Sequence, residues 1–304
     1  MDKMIITHSA GQLWKDCPTR YKRRHVDHLV LAAMEYTPHL FYGTAFHTIL
    51  ERYHFDDFDV DACVDYMVNE ISLRNEDHKA HLIASFLAYA EKEKKLPQWD
   101  EFVFSEKEFR QPIIHQGTGE AHPDFIQGGK VDGVVRIGEQ FFLLEHKTAA
   151  RPDEHYQRRI SIDRQIHQYS IFVAKELGIE IEGILYNVIP KELRWSRKGR
   201  KSNGPLEGFK DYTARLKTRY MDKEFLRFYV SLSPTTLADV AQECWTIADG
   251  VTQMMRNNSW YKNTKRCFDY GRRCPYWELC ETGDRPDVMS LYTTKDPHEE
   301  LSIV

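Results

Sequence analysis

Three residues in the segment VDGVVRIGEQFFLLEHK, from Val131 to Lys147, combine residue types and a spacing suited to breaking a phosphodiester bond: Asp132, Glu145 and Lys147. Two strand-like runs flank Gly138 and Glu139, and a glycine followed by one more residue suits a two-residue hairpin turn. If Ile137 pairs with Gln140, antiparallel partners keep a constant sum of numbers, and Asp132 falls opposite Glu145. Like charges opposed across strands destabilise a sheet, and a divalent cation between them removes the conflict. Period-two alternation places Lys147 on the same face as Glu145. In such a site Mg2+ or Mn2+ lowers the pKa of a water and stabilises charge on the phosphate. Lys147 positions or helps deprotonate that water, and the backbone carbonyl of His146 completes the metal's shell. The competing reading is a solvated hairpin face laced with salt bridges. Against it, the run Phe141 to Leu144 is apolar enough to imply burial on both faces, where charges need a partner or a metal.

Six cysteines stand at 17, 63, 244, 267, 274 and 280, and three of them crowd into the stretch CFDYGRRCPYWELC. Around its glycine-containing turn, Cys267, Cys274 and Cys280 can converge on one metal centre. Cys17, in the polar, proline-containing context WKDCPTRY, is the expected fourth ligand. Cys63 and Cys244 lie in helix-like apolar patterns and read as core residues.

The elements that must position these groups follow from periodicity. A helix is expected from Ser9 as its cap towards Arg24, a second over residues 40 to 54, and a helical hairpin over 60 to 98, broken near Asn75. EFVFSEKEF, GGKVDGVVRI and QFFLLEHKT alternate as strands, with Glu106 in the first given a structural role. DRQIHQYSIFVAKELG is a helix closed by Gly178, GILYNVIP and FLRFYVSLS are strands, and a helix runs from about Leu237 to Met255. The end after residue 280 reads as an irregular acidic tail, and no repeat appears.

Taken together, the motifs resemble the PD-(D/E)XK nuclease superfamily, and within it the RecB-type branch. Asp132, Glu145 and Lys147 match the signature's D, E and K, with Val131 in place of its proline. GTAFHTILE, Gly43 to Glu51, resembles the branch's helical motif, which implies His47 as a further metal ligand and Glu51 as its orienting partner. QIHQY resembles the Q-x-x-x-Y motif, which implies that Gln165 and Tyr169, four apart on one helix face, reach the active site or the DNA. The four cysteines resemble the split iron-sulfur frame of AddB and of the CRISPR adaptation nucleases, which implies a 4Fe-4S cluster. The gap between Cys267 and Cys274 is wider than in those relatives, and zinc is the other metal for such a set.

The implied fold is one α/β domain with a restriction-endonuclease-like core, a central mixed sheet flanked by helices. The cluster would join the N- and C-terminal segments. Residues 1–98 form a helical part, 99–190 the catalytic core, 191–221 a basic insertion, 222–280 a strand, helix and cysteine region, and 281–304 a tail. The implied activity is that of a metal-dependent DNA exonuclease of recombination, repair or phage DNA processing, with a helicase or recombination protein as partner. A non-cutting subunit of a helicase-nuclease complex is the first alternative, and the intact Asp132, Glu145 and Lys147 set counts against it. An iron-sulfur redox protein is the second, and no G-x-G-x-x-G fingerprint supports it.

With 304 residues, 41% hydrophobic and 29% charged, the chain can bury one substantial core, and no apolar run approaches the roughly 20 residues of a membrane helix. The start MDKMIITHSAGQ lacks the features of a secretory signal, so the expected compartment is the reducing cytoplasm of a bacterial or phage-infected cell. A formal charge of -4 leaves DNA contact to local patches. Lys191, Arg194, Arg197, Lys198, Arg200 and Lys201 around Trp195 suit phosphate contact with base stacking, although a solvated loop explains the same run. Arg20, Lys22, Arg23 and Arg24 make a second patch.

Overall fold

The computed structural model describes residues 3–33, 38–56, 58–73, 75–193, 197, 207–269, 271–299 and 301. A short strand β1 (Met4–Ile6) leads into α1 (His8–Asp16), which starts where Thr7 Oγ1 accepts the Ala10 amide at 3.2 Å. Thr7, not Ser9, is therefore the cap. The single helix expected up to Arg24 breaks at Cys17, which is extended because a residue before proline is steered out of the helical region. Helix α2 (Pro18–Tyr21), a π-type turn (Lys22–Val26) and β2 (Leu29–Leu31) follow. Next comes the helical layer of α3 (Pro38–His54), α4 (Val60–Asn69) and α5 (Glu76–Lys92), packed through Phe46, Ile49, Leu50, Met67 and Phe86.

The catalytic segment supplies β3 (Glu101–Ile114), β4 (Ala121–Ile137), β5 (Gln140–Ala149), α6 (Glu154–Ile160), α7 (Arg164–Leu177) and β6 (Ile181–Pro190). Asp163 caps α7 through the Gln165 amide at 2.9 Å, and Gly178 ends it with a left-handed φ of 65°. A further helix, α8 (Phe209–Met221), lies within the segment 191–221 expected as a basic insertion. Its Tyr212, Leu216 and Tyr220, four apart, are fully buried against the α3 to α5 layer. Strand β7 (Leu226–Ser231) and the long α9 (Pro234–Asn257) complete the core. The chain ends with β8 (Phe268–Asp269), β9 (Arg272–Arg273), α10 (Trp277–Thr282), α11 (Pro286–Met289) and β10 (Tyr292–Thr294).

Six strands form a mixed sheet in the order β1-β4-β5-β6-β7, with β3 also on β4. Strand β3 pairs along almost the whole of one edge of β4, so the other edge is shared: β1 lies parallel at Phe125 to Gln127, and β5 lies antiparallel from Gly133 to Ile137. Residues 128 to 132 fall between these two partners. Helices cover both faces. Ile184, Tyr186 and Val188 of β6 join a core with α1, α7 and α9, whereas the alternate Ile189 joins the α3, α5 and α8 side. This is the expected α/β architecture, a mixed central sheet flanked by helices, with no helix among the described residues long and apolar enough to cross a membrane.

The expectation of an irregular tail is corrected. Strand β10 pairs antiparallel with β2, Tyr292 Oη donates to the Pro275 carbonyl and Tyr276 Oη to the Leu29 carbonyl, each at 2.7 Å. Leu301 is buried. The two ends of the chain are thus clasped by hydrogen bonds and apolar contact.

Two half-buried histidines give the fold a pH dependence. Burial pushes His25 down to about 3, helped by His298, Arg24 and His28, and burial lowers His8 to about 4. An unfolded histidine titrates near its ordinary 6.5, so below that pH the unfolded chain binds more protons and stability falls with falling pH. The urea midpoint is expected to be lower at pH 5 than at pH 7, with a smaller difference in His25→Gln. Equal midpoints in the parent protein would contradict this account.

Candidate active site

The β4-β5 hairpin has the expected register, turning at Gly138 with φ of 60° and pairing Ile137 with Gln140 up to Gly133 with Leu144. One position further the ladder stops, and Asp132 and Glu145 face one another where the strands part. Asp132 Oδ2 accepts the His146 amide at 2.7 Å. Glu145 is buried, and Lys147, on the same face, is ion-paired to it. Helix α3 brings in His47, whose Nδ1 lies 3.1 Å from Asp132 Oδ1.

The electrostatics follow from burial and these partners. Burial alone would raise the pKa of Asp132, but the charge and hydrogen bond of His47 hold it well below the carboxylate range. Glu145 goes the other way: burial and the Asp132 charge raise it against the pull of Lys147. Lys147 loses some basicity to burial and regains more from Glu145, so it stays charged. Two opposed carboxylates separated in pKa, beside a fixed cation, form a site that binds positive charge and can hold or give up a proton. Among the described residues no group of three or more His, Cys, Asp or Glu side chains is drawn to metal-ligand spacing. The carboxylates here bind His47 and Lys147 instead.

Helix α7 adds Gln165 and Tyr169, with Gln165 Nε2 donating to Tyr169 Oη at 3.2 Å. Burial and the Glu145 charge push Tyr169 up to about 12. Its ring lies against Gly129, where a Cβ would come within 3.1 Å of it and within 2.5 Å of Phe109, so glycine is what lets α7 approach β4. Glu51 does not orient His47: it accepts from Ser105 Oγ at 3.1 Å, and Glu106, with a φ of 46°, is ion-paired to Lys130. On the opposite face of the sheet, cross-strand neighbours His146, Asn187 and Arg227 form a buried polar row. Asn187 joins the His146 ring at 3.0 Å, and Arg227 reaches Asn187 Oδ1, Tyr89 Oη and the Pro97 carbonyl.

The four proposed cysteine ligands line one cavity of about 320 Å3, with Arg20 and Lys262 beside them. The Asn263 amide donates to Cys17 Sγ at 3.4 Å, and burial raises the Cys274 and Cys280 thiols. Cys63 and Cys244 are buried in the two main cores, as their patterns suggested. The basic patches fare differently. Lys22 pairs with Asp27, Arg23 with Asp27 and Asp284, and Arg24 with the carbonyls of Lys295 and Asp296. Arg197 is tied to Asp77 and Glu76. Lys191 is half-buried, and burial lowers its pKa. Arg194, Trp195, Lys198, Arg200 and Lys201 lie outside the described residues.

A model of the PD-(D/E)XK nuclease superfamily matches residues 6–281, a span that holds the acid pair, Lys147 and all four cysteines. The chain belongs to that superfamily. PD-(D/E)XK proteins are generally nucleases and typically use Mg2+ or Mn2+. No curated protein matches the chain. A solved structure described as "Crystal structure of SSO0001" is similar at 12% identity over 90% of this chain and 98% of its own, with a TM-score of 0.33, too low to bear on the fold.

One residue of this PD-(D/E)XK site escaped the sequence. Tyr186 is the register neighbour of Glu145 on β6, fully buried, and its hydroxyl has no hydrogen-bond partner among the described residues. The parallel β5-β6 pairing that puts it there leaves no local trace in GILYNVIP. A buried unpaired hydroxyl costs about 1–3 kcal/mol, so Tyr186→Phe is expected to unfold at the same or a higher urea concentration. A drop of more than about 1 kcal/mol would show a bond that Tyr186 makes in solution.

Proposed function

We propose that this PD-(D/E)XK chain is a metal-dependent deoxyribonuclease with Asp132, Glu145 and His47 as metal ligands. The observation that carries the reading is the buried carboxylate of Glu145 and the partly buried one of Asp132 brought together where β4 and β5 part, with Lys147 on the Glu145 face. Two carboxylates and an imidazole, with the His146 carbonyl as a fourth donor, suit Mg2+ or Mn2+. The cation supplies Lewis acidity towards the phosphate and lowers the pKa of a water. With the cation bound, Lys147 would orient that water and offset charge on the phosphate. Gln165 and Tyr169 face the DNA from α7. The resemblance to RecB-type enzymes supports exonuclease action in recombination, repair or phage DNA processing beside a helicase.

Cutting of end-labelled linear and circular DNA, single- and double-stranded, should require Mg2+ or Mn2+ and fall by about 10²–10³ or more in Glu145→Ala and Lys147→Ala. Linear substrates cut in preference to circles indicate an exonuclease. No cutting of any substrate by the parent protein would favour a non-catalytic DNA-binding subunit.

The cysteine cavity is read as a 4Fe-4S site, supported by four thiols from both ends of the chain around one space. Joining residue 17 to residues 267 through 280 closes nearly the whole chain, so such a cluster stabilises the fold. Cys274→Ser is expected to lose the brown chromophore and to unfold at lower urea. A colourless variant as stable and active as the parent would refute this assignment.

A further inference from the structure

Residues 261 to 274 carry Lys262, Lys265, Arg266, Arg272 and Arg273 against a single acid, Asp269, in a chain whose formal charge is -4. Most of this segment folds as a small hairpin, β8 against β9, with Phe268 opposite Arg273 and Asp269 opposite Arg272. The Cys274 amide continues the ladder to the Cys267 carbonyl at 2.8 Å, and Gly271 turns with a φ of 74°. The hairpin is therefore fixed at its base.

Its surface is unusual in two respects. Phe268 is 60% exposed, and the ring beneath it, Trp277, lies 5.0 Å away and is anchored by its indole N–H on Glu281 at 2.8 Å. Tyr261, at the start of the same segment, is 55% exposed. Arg266 is paired with Asp16 and Asp269, and Arg273 with Glu278. Lys265 and Arg272 are exposed and ion-paired to no described residue. An exposed aromatic ring on a hairpin whose alternate face carries the uncommitted Arg272, with Lys265 in the same segment, is the chemistry that takes a base and the phosphates of one strand together. A base can lie on Phe268 only when it is not paired within a duplex.

We propose that the β8-β9 hairpin is a single-stranded DNA contact, with Phe268 stacking a base and Arg272 and Lys265 holding the adjoining phosphates. This deepens the nuclease reading and rests on its choice of DNA as substrate. Among the sequence-based candidates that the structure describes, Lys22, Arg23, Arg24 and Arg197 are bonded within the chain and serve this purpose less well. A protein partner could also cover an exposed aromatic, but the local excess of cations favours a polyanion.

The test is binding of fluorescent oligothymidine and of a duplex by anisotropy, in EDTA so that no strand is cut, using the full chain and variants at exposed positions. Phe268→Ala should weaken single-strand binding about tenfold, as expected for one stacked base, and leave duplex affinity unchanged, while Phe268→Trp retains binding. Arg272→Glu should reduce the slope of log affinity against log salt by about 0.7 for each phosphate that the variant no longer neutralises. Parent-like strand affinity and salt slope in both Phe268→Ala and Arg272→Glu overturn the proposal and leave the hairpin to a protein partner. Equal losses on strand and duplex overturn the stacking role. In either case Glu145→Ala still reports on the nuclease reading by cutting, and a parent chain that binds no DNA overturns both.

Discussion

Two carboxylates, one buried and one partly buried, brought together where two strands part are the constraint around which this structure is arranged. Asp132 and Glu145 repel, and a sheet tolerates them only with positive charge and hydrogen-bond donors close by. The fold supplies these from three directions: the His146 amide from the neighbouring strand, Lys147 two residues along, and His47 from a helix eighty-five residues away in sequence. The strands part just there because β4 exchanges partners along one edge, with β1 before the site and β5 after it. An uninterrupted ladder would have pressed the carboxylates together. The interruption gives them room to share a ligand.

The same region is stiffened from behind. His146, Asn187 and Arg227 lie side by side on three adjacent strands, and Arg227 is buried with its guanidinium 4.3 Å above the Trp99 ring. A fully bonded polar row inside a sheet fixes register, since slipping any strand by one residue would strand a charge in an apolar layer. The reactive face therefore sits on strands whose alignment is set by the opposite face.

The N- and C-terminal segments of the chain meet through β2 and β10. The cysteine cavity lies within a clasp that includes the β2-β10 pairing, the Tyr276 and Tyr292 hydroxyls and the Arg23-Asp284 ion pair. Most basic side chains near it are spent on carboxylates and carbonyls. In an overall acidic chain this matters, because unspent cations mark where a polyanion can be met.

Much of the site was legible before folding. Spacing about a glycine turn fixed Asp132 opposite Glu145 and Lys147 on its face, because antiparallel pairing and period-two alternation are local rules that run along one hairpin. The glycine stop of α7, the buried Cys63 and Cys244, and the α/β succession were legible for the same reason: each is a short-range pattern. Tertiary structure decided the rest. Only parallel pairing between β5 and β6 put Tyr186 beside Glu145, only the packing of α3 chose Asp132 for His47 and Ser105 for Glu51, and only the return of β10 to β2 made an element of the tail. Helix α8 could have been found from Tyr212, Leu216 and Tyr220, but the basic run before it masked the period. Charge patches were the least legible of all, since a sequence counts cations and only a fold shows which have already been neutralised.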